Sequence, residues 1–157
     1  MAEGLAAEVL AAARARGVTL ATAESCTGGP IAAALTEVPG SSDVVDCGFV
    51  TYSNAAKTRM LGVSEATLAA HGAVSEAVAA EMAAGAQAQS GAGMVVAVTG
   101  IAGPGGSEFK PEGRVCFGLA TPAGVRTETV EFGPRGRRAV RAATVEHALR
   151  MVLGALG

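Results

Sequence analysis

The chain has no tryptophan, one tyrosine and four phenylalanines among its 157 residues. Its core must therefore come from Ala, Val and Leu, a make-up that suits helices packed closely on a sheet rather than an aromatic-rich binding platform. A dominant charge is also missing. Twelve basic residues stand against 14 acidic ones, a formal net charge of −2, with no long basic run. That balance argues against nucleic acid as a main partner. No apolar stretch approaches the roughly 18 residues of a membrane span, and no signal-peptide pattern is visible. The expectation is a soluble, cytoplasmic protein with no membrane partner. Cys26, Cys47 and Cys116 lie far apart. They fit neither a disulfide framework nor a zinc pattern, in keeping with a reducing compartment and no metal.

Half of the residues are hydrophobic, enough for one compact domain over residues 1–157. Alanine-rich residues 4–16 read as a helix, and 18–23 as a buried strand. A short helix over 29–37 is stopped by Pro39-Gly40-Ser41-Ser42. Residues 44–52 read as a second strand, with Val45, Cys47, Phe49 and Thr51 on one face. Helical stretches follow over 54–61, from Ser64 to about residue 70, and over 76–89, with Ser64 and Ser75 as N-caps. The apolar run 93–98 should be a central strand buried on both faces. Residues 99–113 break all periodicity, holding five glycines and two prolines with Ser107, Glu108 and Lys110; such a loop is functional or mobile. Strands 115–121 and 125–132 form an antiparallel hairpin, the second at a sheet edge. A last helix spans 138–156, its apolar face formed by Val140, Val145, Ala148, Leu149, Val152 and Leu156. The sum is a three-layer α/β/α sandwich with a mixed, mostly parallel sheet of about five strands.

The chemistry concentrates in Thr22-Ala23-Glu24-Ser25-Cys26-Thr27-Gly28-Gly29, between a strand and a helix. The turns at 24–29 and 99–106 follow separate strands and can lie side by side at one sheet edge. Neither matches the Walker lysine motif or the dinucleotide fingerprint, and glycine spacing alone equally fits plain chain reversal. A serine nucleophile needs a base. His71 and His147 both read as structural, in a helix-ending turn and within the last helix. Lysine can substitute when burial or neighbouring cations lower its pKa. Half-neutrality at pH 7, from a free value of about 10.4, costs about 4–5 kcal/mol, which a buried lysine can meet and a solvated one cannot. Lys57 and Lys110 are the only lysines. Lys57 follows Thr51-Tyr52-Ser53-Asn54, just past a strand end.

Ala23-Glu24-Ser25-Cys26-Thr27-Gly28-Gly29, Pro39-Gly40-Ser41-Ser42, Gly48-Phe49-Val50-Thr51-Tyr52-Ser53-Asn54 and Lys57 resemble the CinA C-terminal domain family. So do Leu61-Gly62-Val63, His71-Gly72-Ala73-Val74-Ser75-Glu76, Thr99-Gly100-Ile101-Ala102-Gly103-Pro104-Gly105-Gly106, and Lys110-Pro111 with Gly113. The likeness covers nearly the whole chain in order, and it looks like the stand-alone form of the family. It implies a metal-independent, cofactor-free serine–lysine amidohydrolase of pyridine-nucleotide salvage. Such enzymes convert nicotinamide mononucleotide and water to nicotinate mononucleotide and ammonia. Carried over by position, Ser25 is the nucleophile, Lys57 its base, and Tyr52 assists proton movement or orients the pair. Ser42 and Thr99 match further active-site positions. The backbones of Thr27, Gly28 and Gly29, and of Gly100 to Gly106 including Gly103, would supply phosphate or oxyanion contacts. A homodimer or higher homo-oligomer is the family expectation.

Where relatives show Gly-Asp-Arg before the last helix, this chain reads Gly133-Pro134-Arg135-Gly136-Arg137-Arg138. Spacing from Gly133 selects Arg135 as the phosphate partner. Spacing from Val140-Arg141 selects Arg137, which is favoured. Cations at a helix start oppose the helix dipole and hint at an anionic partner. Two further roles stay open: Glu24 either orients Lys57 or caps backbone groups, and Cys26 competes with Ser25 as nucleophile unless it is buried and inert. The competing reading is a non-catalytic nucleotide- or partner-binding module linked to competence or DNA damage, which would not need the serine–lysine pair.

Overall fold

Alternation of half-buried and exposed side chains marks one strand of the chain as a sheet edge, and unbroken burial marks two others as its centre. In the computed structural model, which describes residues 2–107 and 109–157 and so leaves Glu108 outside, the elements follow in chain order. They are α1 (Ala2–Arg16), β1 (Leu20–Glu24), α2 (Pro30–Thr36), a 3-10 turn (Ser41–Asp43), β2 (Val45–Val50), α3 (Asn54–Leu61), α4 (Glu65–His71) and α5 (Glu76–Ser90). Then come β3 (Met94–Gly100), β4 (Arg114–Thr121), β5 (Gly124–Glu131) and α6 (Arg137–Leu156). The strands lie in the order β2-β1-β3-β4-β5. β1 pairs in parallel with β2 and β3, whereas β4 is antiparallel to both β3 and β5. β4 alone therefore runs against the others, and the sheet is mixed with four strands sharing one direction.

Burial follows that order. β1 is buried at every residue, and β3 at all but its last, as strands covered on both faces must be. β2 alternates along its length, half-covered at the edge. One face of the sheet carries α1, α2 and α6, meeting it through Val9, Ile31, Val140 and Leu149 against Leu20, Val96, Val98 and Phe117. The other carries α3 and α5, with Leu61, Val78 and Met82 on Ala21, Ala23, Val95 and Ala97. Small side chains on that second face let α5 sit very close: a Cβ on Gly118 would fall 2.5 Å from the Ala79 carbonyl oxygen. The aromatic-poor composition is what permits this spacing. Ser53, Ser64 and Ser75 each accept backbone N–H bonds at the starts of α3, α4 and α5.

The loop between β3 and β4 is more ordered than its composition suggests. β3 runs on through Thr99 and Gly100, which pair with Cys116 and Val115. Further along, Ser107 and Lys110 bridge each other in a tight reversal. Gly100 is compatible with the ladder because a Cβ there would meet Val115 at 2.6 Å. None of the helices among the described residues is long and apolar enough to cross a membrane.

Candidate active site

Three strand ends meet at one edge of the sheet, where the chain leaves β1 for one side and β3 lies on the other. The register fixes them together: the Ser25 N–H donates to Val98 O (3.1 Å) on β3, and the Thr51 N–H donates to Glu24 O (3.0 Å). Ser25 thus sits directly past β1, flanked by Thr99 and by the segment leading from β2 into α3. Ser53 caps α3, and its first turn turns Lys57 inward beside Ala56 and Leu61. The Lys57 Nζ donates to Ser25 Oγ at 2.9 Å and to the Tyr52 carbonyl at 3.2 Å. Lys57 is 1% exposed and Ser25 7%, so the amine lies where an ammonium is poorly solvated.

A cavity of about 350 Å³ opens over this pair, walled by Tyr52, Asn54, Thr99, residues 100–107 and Arg137. The Thr99 hydroxyl lines it and donates to the Ala73 carbonyl at 2.9 Å. Arg137 spans the mouth, with Nη1 donating to Gly103 O (2.9 Å) and Nη2 to the Tyr52 phenol oxygen (2.7 Å). Ser25, Lys57, Tyr52, Thr99, Gly100, Gly103 and Arg137 are therefore brought together. Tyr52 is 58% exposed; its main-chain carbonyl, not its phenol, reaches Lys57. Among the arginines, Arg135 lies over the Phe132 ring and Arg141 donates to the Thr27 carbonyl, leaving Arg137 at the cavity.

Four expected residues are placed elsewhere. Ser42 precedes β2, whose Val45 pairs with Leu20 at the start of β1, so the length of β1, roughly 17 Å, separates it from Ser25. This chain does not bring Ser42 to the site. Thr27, Gly28 and Gly29 are not among the residues that line the cavity. Gly29 enters α2 with φ 119, a conformation that favours glycine. The Gly28 N–H already donates to Ser25 O at 3.1 Å, and the N–H groups at the start of α2 have an anion of the protein's own. Glu24 accepts from the Ile31 N–H (2.9 Å), the Ala32 N–H (3.0 Å) and the Thr27 hydroxyl (2.6 Å). Its carboxylate caps α2 from the strand before it, the second of the two roles left open for it.

Cys26 lines the cavity, but burial pushes its thiol up to about 12, which keeps it protonated at neutral pH. His147 pairs with Glu128 at 2.5 Å and packs on Phe117, and His71 ends α4; both stand apart from the cavity lining. Two residues given no role in the sequence hold the loop. The Lys110 ammonium donates to the carbonyls of His71 (2.6 Å) and Val74. Glu112 accepts from Gly105 and Gly136. Lysine and glutamate within a glycine-rich loop were the available signal. Among the described residues no group of three His, Cys, Asp or Glu side chains is placed to hold a metal ion.

The model of the CinA C-terminal domain matches residues 2–156. The nicotinamide-nucleotide amidohydrolase PncC of Escherichia coli K12 is 50% identical over 147 residues, covering 93% of this chain and 89% of that protein. A CinA-like protein of Chlorobium phaeobacteroides is 58% identical over 145 residues. The chain spans only 34% of that relative's length and 26% of a second CinA-like protein's, from Chloroherpeton thalassium. The solved structure of the competence/damage inducible protein CihA of Agrobacterium tumefaciens superposes with a TM-score of 0.94 at 51% identity, covering 99% of this chain and 94% of that one.

Proposed function

The chain belongs to the CinA C-terminal domain family, and from that premise we propose that it is a serine–lysine amidohydrolase acting on nicotinamide mononucleotide in NAD salvage. The observation that carries the reading is the 2.9 Å contact between Lys57 Nζ and Ser25 Oγ, both buried, at the floor of a cavity. The PncC relative's name supplies the substrate.

Neutral Lys57 takes the Ser25 proton as Oγ attacks the carboxamide carbon. The C–O bond forms, and the carbonyl electrons move to oxygen, giving a tetrahedral oxyanion. Backbone N–H groups of Ala102, Gly103 and Gly106 are the proposed donors to it. As the intermediate collapses, the C–N bond breaks and Lys57 returns its proton to the leaving nitrogen, releasing ammonia and a serine ester. Water then attacks that ester. Lys57 takes the water's proton and passes it to Oγ, leaving nicotinate mononucleotide. One lysine serves both half-reactions because the attacking water enters where the amine left, within reach of the same nitrogen. Arg137 is the proposed phosphate partner: it faces the cavity, and its planar fork matches phosphate oxygens.

Ammonia release from nicotinamide mononucleotide by chelator-treated protein tests this, with Ser25→Ala and Lys57→Ala alongside. Each variant is expected to lose about 10³-fold or more in kcat. Saturable nucleotide binding without release by the unaltered protein would favour the binding-module reading. Full activity in Ser25→Ala would remove the assigned nucleophile.

A further inference from the structure

Glu112 stands outside the cavity lining, yet its carboxylate ties two parts of the wall together. One oxygen accepts from the Gly105 N–H at 2.7 Å, the other from the Gly136 N–H at 3.1 Å. Gly105 belongs to the loop over the cavity. Gly136 is the N-cap of α6 and directly precedes Arg137, and α6 has no side-chain cap of its own there. The carboxyl group reaches both donors because Gly103, at φ +94, has no Cβ; one there would lie 2.5 Å from the Glu112 carboxyl carbon. The base of Glu112 is itself anchored: the neighbouring Gly113 N–H donates to Ile101 O at 2.8 Å, and Lys110 clamps the other side. Arg137 closes the ring from above through Gly103 O and the Tyr52 phenol.

We propose that Glu112 is a positioning residue, acting through Arg137. Its carboxylate locks the cavity loop to the start of α6, so the guanidinium crosses the mouth in one place. An arginine side chain has much rotamer freedom, and its fork is useful to an anion only where its stem is fixed. A carboxylate at the first turn of a helix is also favourable against the dipole, and it offsets the arginines crowded there.

Tyr52 is the only tyrosine and tryptophan is absent, so near-ultraviolet-excited emission reads the phenol that Arg137 touches. The experiment compares the full chain with Glu112→Ala, Glu112→Gln, Arg137→Ala and the Glu112→Ala/Arg137→Ala double variant. Emission intensity and steady-state kinetics on nicotinamide mononucleotide are measured on all five. Arg137→Ala changes the emission, and Glu112→Ala moves it in the same direction but adds nothing in the Arg137→Ala background. Glu112→Ala raises KM about tenfold with kcat within about threefold, and raises it less than about twofold when Arg137 is already gone. Glu112→Gln falls between, because its amide oxygen can accept only one of the two N–H bonds well. Equal shifts in both backgrounds, or wild-type emission and KM in Glu112→Ala, would overturn the proposal. If Glu112→Ala does not fold, Glu112→Gln and its double variant carry the same comparison. The kinetic arm rests on the proposed function; the emission arm does not. Coupled emission without any turnover would remove the amidase reading and leave the positioning role, and turnover with uncoupled emission would do the reverse.

Discussion

The turn after β1 and the loop after β3 leave neighbouring strands at the same sheet edge, but the bonds that hold them come from different places. The first is five residues long between Glu24 and Pro30 and is fixed from inside, by a fully buried carboxylate that accepts three hydrogen bonds from the turn and from α2. The second is glycine-rich and fixed from outside, by partly exposed Lys110, Glu112 and Arg137 reaching carbonyls and N–H groups. A reacting hydroxyl must keep its place to within a fraction of an ångström. A wall that admits substrate can be tied down more lightly, by bonds that water can compete with. On the proposed function, the difference in anchoring follows the difference in what each segment must hold still.

Removing the inner anchor should have the larger effect. Glu24→Ala leaves the Ile31 and Ala32 N–H groups and the Thr27 hydroxyl without their acceptor. It should cost about 3–5 kcal/mol of stability in denaturant titration. A loss under about 1 kcal/mol would mean that the turn holds itself. Removing an outer anchor should be milder and should separate binding from chemistry. Lys110→Met keeps the stem but loses two bonds to the carbonyls of His71 and Val74. It should cost about 1–2 kcal/mol and raise KM more than it lowers kcat. An equal fall in kcat would show that the two loops are not mechanically independent.

Smaller effects sharpen the contrast by chemistry. Cys26, in the inner turn, has its thiol pushed up to about 12 by burial. Iodoacetamide labelling followed by mass spectrometry should leave it unmodified at pH 8 in the folded protein and modify it once the chain is unfolded. Fast labelling of the folded form would mean that the turn opens. The smallest expected change lies away from both loops. Hydrogen bonds from Thr129 and Thr127 hold the Glu76 carboxyl below its ordinary value of 4.5. A lowered carboxyl stabilises the fold above the unfolded value and loses that contribution as pH falls through the folded one. The difference in melting temperature between the unaltered protein and Glu76→Gln should therefore shrink on acidification below about pH 4.5. A difference constant from pH 7 to pH 3 would deny the linkage.

The sheet was legible because burial leaves a pattern in sequence: an alternating edge at β2, an unbroken apolar run at β3 and the charged strand β5. The place of Lys57 beside Ser25 was legible by resemblance; the residues alone left two lysines as candidate bases and did not choose between them. Glu24 was half legible; a lone acid at a strand end does not say whether it faces a lysine or a helix start. The glycine pair at 28–29 was ambiguous because glycines before a helix look alike whether they meet a ligand or let the chain reverse; here the Gly28 N–H goes to Ser25 O and the helix-start N–H groups go to Glu24. Ser42 misled because sequence order hides which end of a parallel strand a residue occupies. Glu112 was illegible, since its two partners are seven and 24 positions away and both are backbone groups of glycines.

Ser25 and Lys57 lie within β1–α2–β2–α3, one unbroken length of the chain, whereas residues 99–107 and Arg137 come from its later part. The proposed chemistry and the proposed recognition are thus inherited as separate stretches that meet at the cavity. Variation in the later stretch can redraw which amide fits while the reacting pair stays as it is, which makes this arrangement a permissive starting point for descendants with new substrates.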